Sequence, residues 1–140
     1  MKVVVTGLAD VVKEIAKQEK AYNKAVDNAV LATAVNIQRD AVLGINKQQR
    51  DLGDKGSKRG TKRHYSGPEG DFPNTDLGGL VGSIAVQHMR GTKEAIVFSD
   101  LDYAAYLEFV LNRPWLSLAS EGKEKVLKEN ILTFTNKALK

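Results

Sequence analysis

Between Leu8 and Ile45, apolar residues return with the period of one long helix, and this run constrains the rest of the chain. Leu8, Val11, Val12, Ile15, Tyr22, Ala25, Val26, Ala29, Val30, Thr33, Ile37, Ala41 and Ile45 fall on one stripe at helical spacing, read as facing inward. Alanine is frequent, which favours helix and lets a neighbour approach closely. Thr6 or Asp10 can cap the start. Gly44 and the polar run after Ile45 predict the end. Unbroken to about Asn46, such a helix is ~50–55 Å long at 1.5 Å per residue. That is long for a chain of 140 residues, which is the length of one domain. Either the helix kinks or its far end packs on another subunit.

Val3, Val4 and Val5 are β-branched and predict a short strand ahead of this helix. "KVVVTG" has the start of a dinucleotide-binding unit, but Gly7 is followed by Leu8-Ala9-Asp10. The further glycines that let a backbone approach a pyrophosphate are missing. An edge strand is the plain reading.

From Lys47 to Thr75 the periodicity stops and glycines are frequent. A loop this long inside a compact domain is usually functional or disordered. Ordering it costs about 1–2 kcal/mol of backbone entropy per residue, and few apolar side chains are there to offset that. It is expected to be mobile in the isolated chain. It also holds most of the charge asymmetry. Lys55, Lys58, Arg59, Lys62 and Arg63 stand between Lys55 and Tyr65 with no acid among them. The chain carries +4 overall, so everything outside this segment is near neutral.

Beyond the loop, Ile84, Val86 and His88 alternate with Ser83, Ala85 and Gln87. Arg90-Gly91-Thr92-Lys93 reads as a turn and Ala95 to Ser99 as the return strand of a hairpin. Asp100 or Asp102 can cap a short helix over "YAAYLEFVL", with Tyr103, Tyr106, Leu107, Val110 and Leu111 on one face. Pro114 stops it. Ser117 opens a last helix with Trp115, Leu118, Ala119, Val126, Ile131, Phe134 and Ala138 as its stripe. Lys137 and Lys140 suit its negative C-terminal end. The order strand, long helix, loop, hairpin, short helix, helix predicts an α+β domain. A small antiparallel sheet is packed by the N-terminal and C-terminal helices.

The chain has no cysteine, which excludes disulfides, thiol catalysis and cysteine-based zinc sites. Gly7 and Asp10 interrupt the first apolar run too early for a signal peptide, and no stretch approaches the ~20 apolar residues of a membrane span. A soluble protein assembled in the cytoplasm is expected. No catalytic, cofactor or metal constellation stands out. His64 lies in the basic loop and His88 on the predicted strand, neither with a partner at ligand spacing. Glu108 between Leu107 and Phe109 is either a buried acid with a raised pKa or, the plainer reading, a surface or ion-pairing carboxylate. "GDKGSKRGTK" lacks the phosphate-loop spacing. The aromatics Tyr103, Tyr106, Phe109 and Trp115 read as core, although such residues also collect at interface centres. No enzyme is expected.

"PNTDLGGLVGSI" (Pro73 to Ile84), "YAAYLEF" (Tyr103 to Phe109) and "RPWLSLA" (Arg113 to Ala119), in that order and followed by a closing helix, resemble the tail-completion or neck family of long-tailed bacteriophages. That family is also known as head–tail joining proteins and occurs in prophages. Gly78, Leu80, Ser83 and Ile84 match its first step. Tyr103, Ala104, Tyr106, Glu108 and Phe109 match the second. Arg113, Pro114, Leu116 and Ala119 match the third, with Trp115 in the aromatic place. The opening "VTGLADVVKEIAK" is similar to the family's start, so the likeness covers nearly the whole chain. Leu77 stands where the family usually has Thr, Val110-Leu111 replace Gly-Thr, and Leu118 replaces a second proline.

The resemblance implies a structural virion subunit without cofactor or metal. It would repeat as a ring at the top of the tail, meeting head-closure and tail proteins at the head–tail junction. The matched residues are then fold and interface determinants. Five bases per copy would make a basic collar, with His64 and Tyr65 beside it. Such a collar can meet an acidic partner surface or touch packaged DNA through phosphates alone; protein contact is the favoured reading. The rival from another class is a monomeric nucleic-acid-binding protein using the same loop. Against it, only Tyr65 is present there for stacking, and no helix-turn-helix pattern appears.

Overall fold

The computed structural model describes residues 8–52, 69–73 and 78–140. The predicted helix is there as α1 (Leu8–Leu52), 45 residues without interruption, or about 67 Å at 1.5 Å per residue. It overruns its expected end. Gly44 lies inside the helix, and its role is close approach: a Cβ there would sit 2.5 Å from the Phe72 ring. Asp10 is an acidic residue of the first turn, where it favours the positive end of the helix. The expected loop begins later than Lys47, since Lys47 to Leu52 are helical, and Phe72 and Pro73 pack inward, Pro73 fully buried. The expectations for Val3–Val5, for Thr6 as a cap and for the loop over 53–68 and 74–77 fall outside the described residues.

A short helix that the pattern did not suggest, α2 (Gly79–Ser83), precedes the hairpin. Gly78 enters it at φ 74°, a left-handed conformation that favours glycine. Strands β1 (Ala85–Met89) and β2 (Glu94–Phe98) pair antiparallel, with Val86 opposite Val97 and His88 opposite Ala95. The predicted turn over 90–93 is present; the return strand lies one residue earlier than expected, and the first strand starts at Ala85 because Ser83 belongs to α2. Side chains alternate across a strand. His88 faces α1, where it meets Asp27, so Val86, Ala95 and Val97 share the inner face. Ile96 and Phe98 lie on the outer face and are exposed.

Helix α3 (Asp102–Phe109) follows, with Leu101 at its N-cap and no side-chain cap bond. Neither Asp100 nor Asp102 caps it; Asp102 is the first helical residue. The expected single last helix is two helices, α4 (Leu116–Ser120) and α5 (Lys123–Ala138). They are broken at Glu121-Gly122, where Gly122 takes φ 70°.

Helix α5 runs antiparallel along α1. Lys123 pairs with Asp40, and Asn130 Nδ2 donates to Thr33 Oγ1 at 3.0 Å. The same one-for-one register brings Ala138 opposite Ala25, the first buried residue from Ala9 onward. Ala25, Ala29, Ala34 and Ala41 are buried, and their small side chains let the other elements come close. Everything on α1 from Ala9 to Lys20 is exposed. The predicted inward stripe is therefore corrected over its first part: Val11, Val12, Ile15 and Tyr22 are all exposed. The core gathers at the other end of α1, where Ala41 and Ile45 meet Leu80, Ile84, Ala104, Trp115 and Ala119. Helices on a two-stranded antiparallel sheet make the chain α+β, as predicted.

Candidate functional site

The matched residues divide into two groups. One builds the core and its joints. Leu80, Ile84, Ala104 and Trp115 are buried in one cluster. Gly78 places α2, and its carbonyl accepts the Gly82 N–H at 2.8 Å. Ser83 Oγ donates to the Leu80 carbonyl at 2.9 Å and shares a 2.7 Å bond with Ser99 Oγ, joining α2 to the end of β2. The Arg113 N–H donates to the Leu107 carbonyl at 2.9 Å, closing the turn into Pro114. The Trp115 indole N–H donates to the Ala104 carbonyl at 3.1 Å. A buried Trp needs such a partner, and truncating it to Ala would cost about 3–5 kcal/mol.

Glu108 is the joint between the second and third motifs. One carboxylate oxygen accepts the N–H groups of Trp115 at 2.7 Å and Leu116 at 3.0 Å. The other accepts the Ser117 N–H at 2.9 Å and the Ser117 hydroxyl. These amides stand at the start of α4, where a helix lacks partners of its own. Trp115 is the N-cap by position but offers no side-chain cap, so Glu108 supplies the cap from another helix. Burial pushes the Glu108 carboxyl up. The Ser117 hydroxyl and the Leu116, Trp115 and Ser117 amides outweigh it and hold the pKa below the ordinary value. The raised-pKa reading is thereby overturned. Of the plainer reading the ion-pairing half is corrected, since the carboxylate is held by neutral donors and not by a cation, while its Ser117 side does lie at the exposed edge. With its lone pairs committed in this way, it is a structural acceptor.

The second group points outward. Tyr103, Tyr106 and Phe109 are exposed, Phe109 at 82%. Of the four aromatics expected in the core, only Trp115 is there. The exposed three lie along α3 with Val110 and Leu111, which are also exposed.

Two joints were not foreseen. His88 Nε2 lies 3.1 Å from Asp27 Oδ1, which also accepts the Lys93 N–H at 3.3 Å, tying the hairpin to α1. Burial pushes the Asp27 carboxyl up, but hydrogen bonds from the Gly91 backbone, His88 and the Lys93 backbone hold it below the usual range. At Asp40 the Lys123 ammonium is the main cause of a lowered pKa, helped by Arg39. Sequence spacing carries no signal for partners 61 and 83 residues apart.

A cleft of about 350 Å³ opens between α1, β2, α4 and α5, lined by Val30, Ile37, Val97, Leu116 and Leu127. Its polar members, Thr33 and Ser120, already bond to the Ala29 and Ser117 carbonyls. It lacks the convergent polar groups that orient a ligand. Among the described residues no group of three or more His, Cys, Asp or Glu is placed to hold a metal ion. No described helix is long and apolar enough to cross a membrane. Lys55, Lys58, Arg59, Lys62, Arg63, His64 and Tyr65 lie outside the described residues. No protein family, curated protein or solved structure matches the chain.

Proposed function

We propose that this chain is a structural subunit of the neck of a long-tailed bacteriophage, working as a ring of identical copies that completes the tail and joins it to the head. The observation that carries the reading is the division of the matched residues. Leu80, Ile84 and Trp115 pack in one cluster, Glu108 holds the Trp115 amide and the Arg113 amide bonds to the Leu107 carbonyl, while Tyr103, Tyr106 and Phe109 are left exposed. Contiguous apolar surface of this kind marks interaction sites. Head-closure and tail proteins are the neighbours the reading requires. The five bases from Lys55 to Arg63 would guide encounter with an acidic face of one of them.

Electron microscopy of particles made without this gene, then with it restored, tests the reading. Filled heads beside unjoined tails, rescued by the gene, are expected. Normally joined particles from the deletion would overturn it. Replacing Lys55, Lys58, Arg59, Lys62 and Arg63 with Ser should block joining while leaving the fold intact.

A second reading, a monomer that binds nucleic acid, is favoured by one feature. Lys13, Lys17, Lys20 and Lys24 recur at spacings of four, three and four along α1 and are exposed. Such a row suits phosphates. If the isolated chain binds duplex DNA with an affinity that falls steeply with salt, this reading gains.

A further inference from the structure

Among the apolar surfaces that the described residues leave exposed, two lie far apart. One is the projecting stretch of α1, where Val11, Ile15 and Tyr22 recur at helical spacing and are exposed, Ile15 at 60%. From Val11 to Tyr22 the stripe runs about 16 Å. The other is the outer side of α3, with Tyr103, Tyr106, Phe109 and Val110, about 10 Å long.

They cannot meet within one chain. Ala104 of α3 packs in the cluster with Ala41 and Ile45 of α1. Ile15 is 26 residues up the same uninterrupted helix from Ala41, a separation of about 40 Å. A helix does not fold back on itself. No other described residue of the chain covers the stripe, since everything on α1 from Ala9 to Lys20 is exposed, and a second copy can supply that cover.

Charge selects among the self-pairings. From Glu94 to Asn112 there are four acids, Glu94, Asp100, Asp102 and Glu108, and no base. From Ala9 to Lys24 the four lysines outnumber Asp10, Glu14 and Glu19. Pairing α3 with α3 sets acid against acid, and pairing the two projecting stretches sets net positive against net positive. Of these three pairings, the stretch on α3 is the one that sets a net positive segment on a net negative one. At helical spacing the lysine row falls opposite the apolar stripe, so it stays outward when the stripe is seated. At the same spacing Glu14 and Glu19 flank the stripe, so the lysines, about one helix diameter away and near the Debye length of ~8–10 Å, act on the encounter and not on the seated contact.

We propose that Val11, Ile15 and Tyr22 of one copy seat on Tyr103, Tyr106 and Phe109 of the next. This deepens the ring reading and rests on it. The contact uses different surfaces on the two partners, so it repeats head to tail and gives a ring where the rotation closes.

The lack of cysteine makes the test clean. Ile15→Cys and Tyr106→Cys are made in separate full-length chains, at exposed positions that leave the fold in place by circular dichroism. They are mixed and treated with a short bis-maleimide, and the mass of the wild-type assembly is read by light scattering. The expected result is a covalent dimer in the mixture at several times the yield of either variant alone. A chain carrying both substitutions should give a ladder of covalent oligomers. An assembly that cross-links mainly through Ile15→Cys alone, mainly through Tyr106→Cys alone, or not at all overturns this contact and leaves the ring reading standing. A wild-type chain that stays monomeric at all concentrations overturns both.

Discussion

Glu108 accepts the backbone N–H of Trp115 at 2.7 Å, so a side chain on one helix caps the start of another. The same oxygen reaches Leu116, and its fellow reaches Ser117. Glu108→Gln keeps the shape but exchanges one acceptor for an NH₂ group that faces N–H donors. With hydrogen bonds to a charged group weighted down for partial exposure, the loss should be about 1–2 kcal/mol. Thermal unfolding checks it: a midpoint several degrees lower is expected, and an unchanged midpoint would remove the capping role.

Asp27, Asp40 and Glu108 all have lowered pKa values in the folded chain. A folded pKa below the unfolded one means that the native state binds fewer protons. Stability from these groups is therefore complete above the unfolded values, near 4. It is lost as pH falls from there through the lowered folded values. Urea unfolding at pH 7, 4 and 3 should show the midpoint falling mainly in the last step. Replacing all three with their amides should flatten that fall.

Gly44 and Phe72 set a steric test. Gly44→Ala gains about 1 kcal/mol of helix propensity but drives its Cβ into the Phe72 ring at 2.5 Å. Overpacking costs about 1–3 kcal/mol, so a net loss is expected in chemical denaturation. In a Phe72→Leu background the ring is gone, and the same substitution should be neutral or stabilising. Equal effects in both backgrounds would mean that the ring is not the obstacle.

Asp27 holds the hairpin turn from α1 through His88 and the Lys93 amide. Asp27→Ala should speed hydrogen exchange at Lys93 and Gly91 while amides of the α5 interior keep their protection. Uniform acceleration throughout would instead point to global destabilisation.

The hairpin was legible because Val86 and His88 alternate with Ala85 and Gln87, a pattern set by local geometry. The long helix was legible for the same reason. Its two faces were not, because periodicity places Ile15 and Ala29 on one stripe without telling which of them α5 is long enough to cover. Gly44 reads as a stop only while Phe72, 28 residues later, is out of view. The stripe of the predicted last helix runs straight across Gly122, whose φ of 70° breaks α4 from α5. The outward turn of Tyr103, Tyr106 and Phe109 had no sequence signal, since aromatics at helical spacing suit core and interface alike. Glu108 was found by its place in a motif, and its task only by the amides that converge on it.

Because α1 runs as one helix from its exposed start to the core, it is a strut with a phase. Each residue added between Tyr22 and Ala25 would advance the outer stretch by about 1.5 Å and rotate it by about 100°. Reach and bearing are therefore locked together. A single insertion would turn Ile15 away from wherever it now points, whereas seven residues, close to two whole turns, would lengthen the strut by about 10 Å and restore nearly the same bearing. Evolution along this helix can change how far the subunit extends almost freely in steps of two turns, and hardly at all in between.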